Sequence, residues 1–117
     1  MSLPERMFKM QKSALFMRQW RHDAQNYKKR AGWPLAEHFI VAVEEALSFI
    51  SQNPYACALY DAGEGYEDLQ AHKFRKWNLR GFPHLILFRV NDKSTIFIEA
   101  LYAHKMNIPA RLVGEKE

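Results

Sequence analysis

With 117 residues, an apolar share of 48% and a charged share of 26%, the chain has the size and balance of one globular domain with a single core. No stretch reaches the ~20 apolar residues of a membrane span, and the charged N-terminus lacks the apolar run of a signal peptide, so a cytoplasmic protein is expected. A lone cysteine, Cys57, excludes an internal disulfide, while a net charge of +4 and a pI near 9.3 point towards acidic or polyanionic partners.

In chain order, Glu5–Lys12 is short, and Met7, Phe8 and Met10 suit an edge strand. From Ser13 the pattern turns helical. Ser13 is an N-cap residue, and Phe16, Trp20, Ala24, Tyr27 and Ala31 recur three and four apart. Gly32 ends this helix, with Lys28, Lys29 and Arg30 placed to complement its dipole. A second helix is expected from Pro34 to Ser51, with Pro34 in the first turn, where its missing N–H costs nothing. Its stripe is Leu35, Phe39, Ala42, Val43, Ala46, Leu47 and Ile50, and Asn53-Pro54 stops it. Helices joined this closely lie antiparallel, as a helical hairpin.

Beyond it, Tyr55–Tyr60 reads as a strand or an apolar link, Asp61–Gly65 as a loop, and Tyr66–Ala71 as one helical turn. Lys73–Leu79 is expected as a strand leading to the Gly81-Phe82-Pro83 turn. His84–Val90 and Thr95–Tyr102 then flank Asn91–Ser94 as a β-hairpin. Leu85 and Leu87 face one way, and Ile86, Phe88 and Val90 the other. In the partner strand, Ile96 and Ile98 are set opposite Phe97 and Leu101. Strands apolar on both sides sit centrally in a sheet covered on both faces. The helical hairpin takes one face; chain termini, a second subunit or a partner protein must cover the other. The order is β-α-α-β-β-β, an α+β fold whose antiparallel sheet packs on the N-terminal helical hairpin. It forms a single domain over residues 1–117, with Val113–Glu117 a polar tail expected to fray.

Charge is unevenly placed. Lys73, Arg75, Lys76, Arg80 and Arg89 fall within Lys73–Val90 without a single acid, whereas Asp61–Asp68 holds four acids and no base. Such cations suit phosphates or an acidic protein segment, and equally a solvated strand face. Trp77 among them suits stacking on bases as well as packing in a core. His84 reads as structural, and His104, at the end of its strand, is the better acid–base candidate. Tyr102 has a hydroxyl that can move protons, but an aromatic at this strand position is more often core. Cys57 has no activating neighbours and reads as a small buried apolar residue. No metal site or cofactor is expected.

Three stretches carry a family resemblance: Tyr27-Lys28-Lys29-Arg30-Ala31-Gly32; Ala36-Glu37-His38-Phe39 with Ala42–Leu47, Ile50 and Asn53-Pro54; and Arg80–Val90 followed by the second strand and His104. In order and spacing, from Tyr27 to Leu112, the chain resembles the RelE/ParE toxins of bacterial type II toxin–antitoxin (plasmid stabilisation) systems. The resemblance implies a small cytoplasmic α+β toxin silenced by a cognate acidic antitoxin, as a homodimer or a toxin–antitoxin hetero-oligomer. RelE-like members cut messenger RNA in the ribosomal A site, using cations that stabilise the phosphorane. That role would fall here to Arg80, Arg89, His104 and Lys105. ParE-like members bind DNA gyrase and catalyse nothing. Lys73, Arg75, Lys76, Trp77, Arg80 and Arg89 would then form the surface that meets target or antitoxin. Leu85 stands where the ribonucleases align a catalytic Arg, and the usual basic pair after His104 is thinned to Lys105-Met106-Asn107. The Gly-Phe-Pro turn is commoner in the ParE-like branch. The expectation is therefore a ParE-like gyrase inhibitor, with a RelE-like endonuclease or a non-toxic binding module as alternatives.

Overall fold

The computed structural model describes residues 8–104 and 106–116 of the chain; Met7 and Lys105, both named above, lie outside them. The elements run β1 (Lys9–Lys12), α1 (Ala14–Ala31), α2 (Trp33–Gln52), a single 3-10 turn (Pro54–Ala56), α3 (Glu67–Ala71), β2 (Arg75–Asn78), β3 (His84–Val90), β4 (Thr95–Ala103) and α4 (Ile108–Lys116). The expected α+β arrangement holds: a helical hairpin packs on a four-stranded sheet of order β1-β4-β3-β2. The sheet is antiparallel for β2, β3 and β4 only. β1 joins β4 in parallel, Lys9 opposite Thr95 and Lys12 opposite Ile98, so the sheet is mixed. The reason is topological. The whole helical hairpin lies between β1 and the other strands, long enough to carry the chain back for a parallel pairing.

Local chemistry sets the helix ends. The Ser13 hydroxyl accepts from the Phe16 N–H at 2.9 Å, the N-cap expected of it, and donates to the Glu99 carbonyl at 2.8 Å. Gly32 serves two helices at once, as the C-cap of α1 and the residue preceding α2. Its φ of 90° and ψ of 174° belong to a region that side-chain-bearing residues scarcely visit. The β3–β4 connection is held by Asn91, whose Oδ1 accepts from the N–H groups of Lys93 and Thr95, each at 2.9 Å.

The core has two halves, one on each face of the sheet. Against the hairpin lie Phe16, Phe39, Val43, Leu47 and Ile50 with Ile86, Phe88, Ile96 and Ile98. Side chains of this kind contribute ~1.5–3 kcal/mol each on full burial. On the other face Leu85, Leu87, Ala100 and Tyr102 pack with Leu69, Phe74, Ile108 and Leu112. That face is therefore covered by the chain itself, through α3 and α4. The tail expected from Val113 onwards continues instead as α4, through Lys116. Asn107 starts this helix, its Oδ1 accepting from the Ala110 N–H at 3.4 Å, and Pro109 sits in the first turn.

One side-chain assignment changes. The register passes from Leu87 opposite Ala100 to Phe88 opposite Ile98, so Glu99 is an extra residue, a β-bulge. The extra residue reverses the alternation. Leu101 joins Ile96 and Ile98 on the hairpin face, rather than opposing them, and Ala100 and Tyr102 turn to the other.

Candidate functional site

The expected cations do not form one cluster. β2 is an edge strand, and its outer side is partly covered by the link that precedes it: the Lys76 N–H donates to Ala58 O at 3.0 Å, and the Tyr60 N–H to Phe74 O at 2.7 Å. The Tyr55–Tyr60 segment thus consists of the 3-10 turn and an isolated bridge, Leu59 with Arg75, rather than a strand. Arg75 turns back on this link. Its guanidinium donates to Cys57 O at 2.6 Å and lies 5.2 Å from the Tyr55 ring. Trp77 stacks on Phe49 of α2, the rings 4.1 Å apart and 13° from parallel, so one indole face is already occupied. Lys73 is exposed, and Lys76 lines a shallow groove of about 320 Å³ with Trp77 and Asn78.

Arg89 is engaged as well. Its Nε donates to the Glu99 carboxylate at 2.8 Å, and its guanidinium carbon lies 4.6 Å above the Phe97 ring. At the opposite end of β3, Arg80 is exposed beside the Phe82 turn, lining a groove of about 480 Å³ with His38, Val41 and Glu45. The His104 N–H donates to Pro83 O at 2.9 Å, which holds exposed His104 against that same turn. Arg80 and His104 thus share one end of the sheet. Arg89 lies five residues along β3 from His84, roughly 16 Å away at the usual strand rise. A single phosphate cannot touch both ends.

His84 is structural in its setting. It is 6% exposed, packed against the rings of Tyr27 and Phe39, with Nε2 3.3 Å from the Asp23 carboxylate. Burial pushes the Tyr27 phenol above its usual range, and the nearby Asp23 adds to this. Cys57 is buried as expected, and burial raises its thiol despite the neighbouring Arg75, so it is no ready nucleophile. Among the described residues no three His, Cys, Asp or Glu gather in a way that would hold a metal ion, and no helix is long and apolar enough to cross a membrane.

Two grooves flank α1, and the sequence reading anticipated neither. On the outside of the hairpin Met17, Trp20, Ala24, Trp33 and Ile40 form an apolar groove of about 340 Å³, with Arg21 and Lys28 on its rim. Trp33 is 53% exposed there, with the Lys28 ammonium 5.8 Å from its ring. Between α1, the end of β4 and α4 lies a larger groove of about 600 Å³ that includes Arg18, Arg21, His22 and Arg111. The available signal was the composition of α1, five Lys or Arg against the single acid Asp23. Its meaning required α4, which Pro109 and Gly114 concealed.

No protein-family model matches the sequence, and neither does any curated protein. Among solved structures, the fold matches a chain of the chromosomal ParDE toxin–antitoxin system from P. aeruginosa with a TM-score of 0.66. The identity is 16%, over 83% of this chain and 96% of the other.

Proposed function

We propose that this chain is the toxin of a type II toxin–antitoxin pair, a single-domain cytoplasmic protein that arrests growth by binding DNA gyrase and is silenced by an acidic antitoxin. The observation that carries this reading is the fold shared, over nearly the whole of the other chain, with a member of a ParDE system. Three features favour target binding over messenger RNA cleavage. Leu85, at the position aligned with a catalytic Arg of the ribonucleases, is buried beneath α3 and α4. Arg89 is committed to Glu99. Arg80 and His104 lie at the far end of the sheet from it. Among the described residues, Arg80, Arg89 and His104 do not converge on one point, as stabilising both the attacking and the leaving oxygen of a phosphorane would require. The antitoxin is expected to use the exposed grooves around α1, where apolar floor and basic rim occur together.

Induced expression of the chain alone should stop growth, and co-expression of the short acidic reading frame beside its gene should restore it. The purified chain should block supercoiling by gyrase and leave messenger RNA uncut in a translating extract. Normal growth under strong expression would overturn the toxin reading; A-site cleavage would replace gyrase with the ribosome.

A further inference from the structure

The groove between α1, β4 and α4 has a specific chemistry. Its lining is mixed: Leu15 and Met106 supply open apolar surface over the buried Leu101, and Arg18, Arg21 and Arg111 supply guanidinium groups. All three arginines are exposed, and among the described residues none makes an ion pair; the two pairs present are His84–Asp23 and Arg89–Glu99. Asp23, the one carboxylate lining the groove among the described residues, is turned to His84. Like charges gathered on a concave surface without counter-charges repel one another and do nothing for the fold. Met106, 38% exposed, adds apolar surface open to solvent in the same place.

The backbone around the groove is also unusual. β1 covers the outer edge of β4 only as far as Ile98. Beyond that point α1 replaces it, and the Leu101 N–H is satisfied by a side chain, Gln19 Oε1 at 2.7 Å. The groove therefore runs beside a strand edge that has no strand neighbour.

We infer that this groove binds an acidic peptide segment carrying apolar side chains, its carboxylates meeting Arg18, Arg21 and Arg111 and its apolar residues resting on Leu15 and Met106. Planar guanidinium forks match carboxylates in bidentate geometry, and the mixed lining favours a peptide over a nucleic-acid strand. A nucleic-acid strand would look for a row of exposed aromatic rings to stack on, and of the two rings lining the groove Tyr102 is 2% exposed, which leaves His22 alone as a platform. Assigning the peptide to an antitoxin rests on the toxin–antitoxin reading; the groove's preference for such a peptide does not.

The test uses the purified full chain and a fluorescein-labelled synthetic peptide of alternating Glu and Leu, read by anisotropy. An all-Glu peptide of equal length and a short oligouridylate serve as comparisons. The alternating peptide should bind more tightly than either, more weakly as salt is raised, and about tenfold more weakly to R18E/R111E. The R18Q/R111Q variant gives the same comparison should the reversed charges impair folding, which thermal melting reveals. Control variant K93E, in the exposed β3–β4 connection, should bind as the parent does. Equal binding by parent and R18Q/R111Q overturns the inference, as does oligouridylate binding more tightly and losing that affinity in the same variant. The two readings separate cleanly. A chain that never arrests growth but binds the peptide through these arginines loses the toxin reading and keeps the groove. A chain that arrests growth and binds the peptide without them does the reverse.

Discussion

Arg89 and Glu99 are joined across the β4 bulge, Nε to carboxylate at 2.8 Å, with the Glu99 side chain 13% exposed and that of Arg89 38%. The bulge creates this pair. Glu99 is the residue inserted into β4, and its carbonyl also receives the Ser13 hydroxyl at the start of α1. A cation that reads as a binding group in the sequence thus belongs to the joint between hairpin, bulge and sheet. Arg89→Ala should lower stability by about 1 kcal/mol, a partly exposed charge pair losing a good geometry. Arg89→Lys should recover part of this by keeping the charge, but not the fork. Urea unfolding of the variants measures it. If Arg89→Ala instead left stability intact and abolished growth arrest, Arg89 would be a target contact.

Gln19 offers a sharper test of how α1 covers β4. Leu101 is 2% exposed, and Gln19 Oε1 receives its N–H at 2.7 Å where a neighbouring strand would otherwise stand. Gln19→Leu removes the acceptor while keeping apolar bulk, and should cost about 1–3 kcal/mol for an orphaned buried donor. Gln19→Glu retains an oxygen and should cost much less. Equal losses from the two substitutions would mean that the hydrogen bond accepted from Leu101 is not what stabilises this position.

Gly32 joins the two helices at φ 90° and ψ 174°. A Cβ there would meet little beyond Pro34 Cδ at 3.7 Å, so space is not the obstacle. The backbone conformation is. Gly32→Ala should therefore destabilise by about 1–3 kcal/mol through strain alone. Gly114, in α4 with nothing within 4 Å of an added Cβ, provides the contrast. Gly114→Ala should be neutral or stabilising by up to about 1 kcal/mol. Paired thermal melts of the two variants check both signs.

These positions also show what a sequence can reveal. Ser13, Gly32, Pro34 and Asn91 act through their nearest neighbours along the chain, so helix ends and the β-hairpin were legible. The alternation of β3 was legible for the same reason. The reversal at Glu99 was not, because a bulge is defined by the partner strand and leaves no local mark. β1 pairs with residues more than eighty positions away, and nothing in Lys9–Lys12 specifies a parallel register. The candidate site was read least well. Arg75, Trp77 and Arg89 stood in a basic run that suggested a surface, yet each is engaged by a residue distant in sequence: Cys57, Phe49 and Glu99. Arg111 lies far along the sequence from Arg18 and Arg21, and only folding brings α4 beside α1.

Buried Cys57 and the partly buried Tyr27 and Tyr60 set an alkaline limit to stability. Burial raises the pKa of Tyr27, Cys57 and Tyr60, with Asp23 and Asp61 adding to it at the two tyrosines, while Arg30 at Tyr27 and Arg75 at Cys57 work against it. All three groups are neutral when protonated, so the folded chain holds these protons to higher pH than the unfolded chain does. Wherever the folded state binds more protons, stability falls as pH rises. The contribution is therefore complete below the unfolded values, ~8.5 for Cys and ~10 for Tyr, and is lost as pH climbs through the folded ones. Urea midpoints should be level near neutrality and decline above about pH 9. Cys57→Ala should remove the earliest part of that decline and leave the part due to the tyrosines, which places its onset near pH ~10. The same burial should make Cys57 slow towards a thiol reagent in native buffer and fast in urea. A midpoint unchanged through the tyrosine range, with Cys57 reacting at once in the native chain, would mean that the link between Asn53 and Tyr60 opens far more readily than its packing against β2 implies.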